Sequence, residues 1–203
     1  MTDSQARTSE STRARRSDAQ RSVAAILEAA QACLALDPDA STAEIARAAG
    51  VGRVTLYGHF GSRLELVDQT FARSMARAEE TLDQVDLSGD ARDGLARLIG
   101  SSWTLIARSR SILVAAQRTL PPERIRELHD RPMRRVQDLI ERGQAVGAFR
   151  TDLPTTWMVA TFYSVLHGAA DEITAGRLDS DSAADLITST ILPCFARDPA
   201  PSR

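Results

Sequence analysis

The sequence predicts an all-α chain in two parts, a small N-terminal helical head and a larger helical body. Three observations predict it. Apolar residues recur at three- and four-residue spacing along most of the chain. Capping patterns and Gly/Pro breakers punctuate these runs at helical lengths. No segment combines sustained period-two alternation with β-branched enrichment, as a half-buried strand would.

Each element has its own signal. Residues 1–20 are polar, Ser/Thr-rich and poor in large apolar side chains, so a flexible arm is expected. Its Arg13, Arg15 and Arg16, with Arg21 just beyond, form a basic cluster suited to touching a polyanion. Val23, Ile26, Leu27, Ala30 and Leu34 then mark the stripe of a first amphipathic helix, closed by "DPD" at 37–39. "STAEIARAAG" opens a second helix with a capping box of Ser41 and Glu44, and Gly50 ends it. A third short helix is expected from Arg53 to Phe60. Ser62 and Glu65 repeat the capping pattern before a fourth helix, which runs to about Leu82. A polar break near 83–90 separates these from helical patterns at 90–108, 110–118, 122–145, 154–175 and 181–196. The expected division is a 1–20 arm, a 21–70 head and a 71–203 body, with no internal repeat.

Composition narrows the function. The chain has 203 residues and a formal net charge of −2, which excludes a protein that coats nucleic acid uniformly but allows a local basic face. All 25 basic residues are arginines, so phosphate contacts fall to Arg, uncharged donors or backbone amides. Cys33 and Cys194 lack metal or redox spacing and are expected to be buried, reduced and structural. No apolar run reaches membrane-spanning length and no signal-peptide core is visible, so a cytoplasmic protein without membrane association is expected. There is no nucleophile elbow, phosphate loop, HExxH or Cys/His cluster. His59, His129 and His167 fall on separate segments. An enzyme, a cofactor and a metal site are therefore not expected.

The stretch from Ser41 to Phe60 has the anatomy of a helix-turn-helix, a short helix stopped at Gly, a tight turn and a second short helix. Leu56 and Phe60 share a face that packs inward, and Val51 plugs the angle between the helices. Arg53, Val54, Thr55, Tyr57, Gly58 and His59 are left to point outward or sideways. Arg53, at the helix start, can fork to guanine O6 and N7. Val54 and the Thr55 methyl suit a thymine methyl. Tyr57 and His59 can donate to phosphate, Gly58 permits close approach, and Thr42 and Arg63 sit where phosphates would flank the unit.

"TAEIARAAGVGRVTLYGHFGSRLELV" closely resembles the DNA-binding head of the TetR/AcrR family of transcriptional regulators, over about Arg21 to Phe71, with "TLYGHF" its most specific part. The resemblance implies a three-helix head, a linking fourth helix and a divergent helical body that binds a small ligand and forms a homodimer. It also implies that Arg53, Val54, Thr55, Tyr57 and His59 match DNA-touching positions, and Thr42 and Arg63 phosphate-contacting ones. Departures are a shorter loop without glycine between the first two helices, Gly52 in place of a common Ser cap, and Arg63 in place of a common Lys.

The body offers only candidates. Trp103, Gln117, Tyr163, His167 and Asp171 are polar or aromatic groups on otherwise apolar helices. His167 and Asp171, four apart, face one way. Met158, Phe162, Val165, Leu166 and Ala169, then Leu186, Ile187, Thr190 and Ile191, form two stripes that suit either a second copy of the chain or the helices within one copy. The expected function is a sequence-specific, homodimeric regulator of operator DNA, a repressor by family habit, released by an apolar or aromatic effector. The alternatives are a ligand-binding protein with a vestigial head, or a small all-α enzyme.

Overall fold

The computed structural model describes residues 2–197, with side chains from Ser17 onward. Among these residues there are eight helices and no strand: α1 Thr2–Leu36, α2 Thr42–Ala48, α3 Arg53–His59, α4 Arg63–Leu82, α5 Ala91–Thr119, α6 Pro122–Ala145, α7 Thr155–Thr174 and α8 Ser180–Phe195. Most of the arm expected at 1–20, with Arg13, Arg15 and Arg16, lies outside the described side chains. The backbone of residues 2–20 differs from expectation in being helical. No breaker separates them from the apolar stripe, and Ser22 Oγ donates to the Asp18 carbonyl one turn back.

The chain forms two compact units. The first holds the N-terminal helices through Ser74, together with Ser111–Pro121. The second holds Met75–Arg110 and the chain from Pro122 onward. In the first, Ile26, Leu27 and Ala30 of α1 pack with Ile45 and Ala46 of α2, Leu56 and Phe60 of α3 and Leu66 of α4. In the second, Leu95, Leu98, Ile99 and Trp103 of α5 join Val136, Leu139 and Ile140 of α6, Phe162 and Leu166 of α7, and Ile187 and Ile191 of α8.

Two expectations are corrected and one open alternative is narrowed. The patterns at 90–108 and 110–118 form one helix, α5, because the arginines and serines at 108–111 hold no Gly or Pro, and Ser109 Oγ donates to the Leu105 carbonyl rather than breaking the turn. The stripes on α7 and α8 are largely used within the chain. Met158, Phe162, Leu166, Ile187 and Ile191 are all buried, while Leu186 and Thr190 remain exposed. Cys194 is exposed and Cys33 only half-buried, because on α8 the inward stripe is Ile187–Ile191–Phe195 and Cys194 stands beside it.

Close packing explains the α6–α7 junction. A Cβ at Gly143 would stand 2.1 Å from the Phe149 ring, so glycine lets Phe149 fold back under α6. Phe149 then meets Phe195 edge to face at 6.5 Å, and Arg150 N–H donates to the Phe195 carbonyl. Among the described residues no helix is long and apolar enough to cross a membrane, and no group of three His, Cys, Asp or Glu is placed to hold a metal ion.

Candidate nucleic-acid interface

The head begins with two caps that act as the sequence suggests. Glu44 N–H donates to Ser41 Oγ at 3.2 Å, and Ser41 N–H donates back to Glu44 Oε2 at 2.7 Å. The Ser41 hydroxyl and amide hold the Glu44 carboxyl below its ordinary pKa. At the other end of α2, Gly50 takes φ +68, the left-handed conformation that glycine adopts without Cβ strain. Gly50 N–H then reaches the Arg47 carbonyl and Val51 N–H the Ala46 carbonyl, the paired bonds of a Schellman stop. This turn swings the chain from α2 into α3 and sends Val51 against the head core.

Core anchoring decides which face of α3 looks out. Leu56 and Phe60 are buried, and Val51 packs beside them. Arg53, Val54, Thr55, Tyr57 and Gly58 are consequently exposed, with Val54 at 88% and Tyr57 at 47%, and His59 half-buried. Arg53 and Tyr57 are one turn apart, as are Val54 and Gly58, so four of the predicted residues form one patch. Thr42 joins it. Its hydroxyl lies 3.0 Å from the Tyr57 hydroxyl, a single hydrogen bond from the start of α2 to the outer face of α3. One hydroxyl proton of the pair is left to donate outward. A Cβ at Gly58 would meet nothing within 4 Å, so the backbone of α3 is open to close approach there.

Arg63 is placed differently. Its guanidinium donates to the carbonyls of Ala40 and Pro38, clamping the α1–α2 loop onto the start of α4. The same loop has an Asx turn, Asp39 N–H to Asp37 Oδ1 at 2.9 Å, and Asp39 bonds Arg118 at 2.6 Å. That bond holds the Asp39 carboxyl below the usual carboxylate range. These contacts satisfy the short loop without a glycine. Downstream, Ser62 Oγ caps the Glu65 amide, and Glu65 returns its carboxylate to the Gly61 amide rather than to Ser62.

The sequence of the head is matched by a family model. Residues 26–70 match the family described as bacterial regulatory proteins, tetR family. The head, residues 26–70, is therefore similar to the DNA-binding head of that family. A head of this kind is that of a DNA-binding transcriptional regulator. Solved structures of similar fold extend over most of the chain. A TetR-family transcription regulator from Marinobacter aquaeolei VT8 is 19% identical with TM-score 0.69, over 89% of this chain and 98% of that one. A regulator from Saccharomonospora viridis, solved with choline, is 20% identical with TM-score 0.75, over 86% and 97%. FadR from Bacillus subtilis, solved with stearoyl-CoA, is 17% identical with TM-score 0.67, over 83% and 96%. No curated protein matches the chain in sequence.

The five candidate ligand residues do not converge. Gln117 is exposed and belongs to the first unit, beside the inward stripe of Ile112, Ala116 and Leu120. Trp103 is buried in the body core. Tyr163, His167 and Asp171 follow one another on α7. Tyr163 and His167 stack at 6.2 Å, and the edge of Phe162 meets Tyr163 at 5.1 Å. His167 and Asp171 have different partners. Asp171 pairs with Arg110, which donates through Nε at 2.7 Å, while His167 Nδ1 is buried with no partner. Burial, reinforced by His129 and Arg110, drives the His167 pKa down to about 4, so the imidazole is neutral. Burial and the Glu79 charge raise the Tyr163 pKa.

The sequence reading missed Glu79 and Arg135. Glu79 is only 6% exposed, and its Oε2 accepts from Arg135 Nη2 at 3.0 Å. A signal was present: Glu79 stands on the stripe that runs through Phe71 and Leu82, two turns after the former and one before the latter. A carboxylate at an inward position calls for a cation from another helix, and α6 supplies it.

Proposed function

We propose that the chain is a homodimeric repressor whose two heads read operator half-sites and whose body releases the DNA on binding a small effector. The observation that carries this reading is the outer face of α3. It holds Arg53, Val54, Thr55 and Tyr57 exposed on a helix anchored only by Leu56 and Phe60. Val54, a large apolar side chain left almost wholly in water, fits a thymine methyl in the major groove. Arg53 would fork to a guanine beside it, and the Thr42–Tyr57 hydroxyl pair would donate to a phosphate. Such work belongs in the cytoplasm, with the chromosome.

In this reading residues 21–70 form the reading head and 71–203 the effector and dimerisation body. The outer faces of α7 and α8 favour a second copy as partner. Trp157 and Leu186 are exposed there, and Ala160, Ser164 and Gly168 between them are small and exposed, which suits close helix packing. Two-fold pairing would give two recognition helices a fixed spacing. An effector can shift DNA affinity only by its differential affinity for two body states. The choline and stearoyl-CoA bound by the regulators from Saccharomonospora viridis and Bacillus subtilis support a ligand-binding body, without naming the ligand here.

The test is a mobility-shift salt series on DNA flanking the coding region, with Arg53→Ala/Tyr57→Ala as control. Tight, salt-sensitive binding that the double substitution abolishes is expected. Failure on flanking DNA and in a random-sequence selection would reject the reading.

A further inference from the structure

Among the described residues, three buried side-chain atoms lack a hydrogen-bond partner: Glu79 Oε1, Arg135 Nε and His167 Nδ1. All three lie in the second unit. Native interiors hold few such atoms, and a cluster in one region asks for a reason. The bonds already made show what is missing. Arg135 Nη1 donates to the Leu82 carbonyl, and Nη2 serves Glu79 Oε2 and Asp83 Oδ1. Arg131 Nε approaches the same Glu79 oxygen at 3.6 Å. The ends of the guanidinium and one carboxylate oxygen are therefore occupied. What remains is one acceptor, Glu79 Oε1, and one donor, Arg135 Nε, on two side chains that already bond each other.

The surroundings set the character of a molecule that would complete them. A cleft of about 370 Å³ opens here, lined by Glu79, Arg131, Arg134, Arg135 and Asp138. Its lining carries both signs, two carboxylates and three guanidiniums. Asp83 and Asp130 bond Arg135 and Arg134 from its edge, so no single sign dominates. Tyr163 stands within electrostatic reach of both Glu79 and Arg135, and stacks on the neutral His167. Beyond them Tyr163 packs against the apolar body core that holds Trp103, Phe162 and Leu166. A net charge brought here would find the local ions already matched, and would lose its hydration.

We propose that this cluster is the polar end of the effector site, and that the effector is an uncharged molecule with an apolar body and a group that donates and accepts hydrogen bonds side by side, as a carboxamide does. The donor would serve Glu79 Oε1 and the acceptor Arg135 Nε. The proposal rests on the effector-released reading above.

The experiment is titration calorimetry of the full chain with three probes sharing one apolar body: 2-naphthamide, 2-naphthoate and 2-naphthylmethylammonium. The amide is expected to bind at least tenfold more tightly than either ion. Arg135→Lys keeps a cation for Glu79 but removes the Nε donor, and Glu79→Gln removes the carboxylate. Each is expected to weaken the amide about tenfold, read on whichever variant keeps the wild-type circular dichroism. Equal or tighter binding of an ion overturns the proposal, as does amide binding unmoved by a folded variant. Failure of all three probes also overturns it and leaves the three atoms to water. The operator shift assay separates the two readings. Amide binding without DNA release keeps this site and strikes the effector role. Release by the naphthoate keeps the effector role and strikes this site.

Discussion

The head and the body handle polar groups in opposite ways. In the head the core is apolar, from Ile26 and Leu27 through Ile45 and Leu56 to Phe60 and Leu66, and the functional groups stand outside it. In the body a carboxylate, a guanidinium, a phenol and an imidazole enter the interior, and three of their atoms are left unbonded. On the proposed function, the difference follows from the partner each must meet. A duplex is larger than the head, so recognition groups must project from a rigid convex surface. A small molecule is enclosed, so its recognition groups must face inward and accept the loss of water.

The largest effect is expected from breaking the head's side of this contrast. Phe60→Ala removes a ring that is 1% exposed at the end of α3. A loss of about 3–5 kcal/mol is expected, by analogy with buried Phe truncations elsewhere. DNA binding should weaken with it, because Phe60 shares with Leu56 the anchoring that sets which face of α3 looks outward. Denaturant unfolding gives the stability, and retention of wild-type stability would show that Phe60 does not anchor α3.

Next comes the body's ion pair. Arg135→Met leaves Glu79 buried with only the distant Arg131 for a cation, and a loss of about 3 kcal/mol is expected. Adding Glu79→Leu should recover most of that loss, since replacing both partners of a buried pair by apolar groups is often neutral or stabilising. If the double variant is no better than the single, the pair is a net stabiliser and not a recognition device. The head offers no analogous pair in its core, which is what this substitution sharpens.

The sequence made these two regions legible to different degrees. In the head each decisive contact is local: Ser41 with Glu44, the Gly50 turn, and Leu56 with Phe60 are three or four residues apart or fewer, so spacing alone reveals them. The exceptions are the Thr42–Tyr57 bond, fifteen residues apart, and Arg63. The carbonyl partners of Arg63 at Pro38 and Ala40 lie across a loop, where spacing does not reveal them. In the body the decisive contacts join α4 to α6 and α5 to α7, more than fifty residues apart, as in Glu79–Arg135 and Arg110–Asp171. Periodicity placed Tyr163 and His167 on one helix face but carried no information on what faces them. It also put Gln117 among ligand candidates, although a one-residue turn off the Ile112–Ala116–Leu120 stripe sends it to solvent.

A pH comparison isolates the body's inward imidazole. The His167 pKa is about 4 in the folded chain against an ordinary 6.5. Between these values the unfolded chain binds the proton and the folded chain does not, so stability rises with pH across that window. Lowering the pH from about 6.5 toward 4 should therefore remove on the order of 1–3 kcal/mol attributable to this group. His167→Gln should flatten that part of the profile. Unfolding free energies of both proteins at pH 7 and pH 4.5 test this, and parallel slopes would show that His167 is hydrated and titrates normally.

The smallest effect probes the head's outer face alone. Gly58 is the sixth residue of the seven-residue α3, flanked by exposed Tyr57 and half-buried His59. A glycine within a helix is destabilising by roughly 0.5–1 kcal/mol relative to alanine. Its φ is not left-handed, and a Cβ would meet nothing within 4 Å, so the chain itself gives no reason for the glycine. Gly58→Ala should accordingly stabilise the protein by about 0.5–1 kcal/mol. If the reason lies outside the chain, in DNA backbone brought close to α3, the same methyl should weaken operator binding by on the order of 1 kcal/mol, about fivefold in affinity. Opposite signs for stability and binding would mark Gly58 as part of the contact surface. A gain in stability with unchanged binding would place the DNA farther from this turn of α3, and leave Arg53, Val54 and Tyr57 to define the interface.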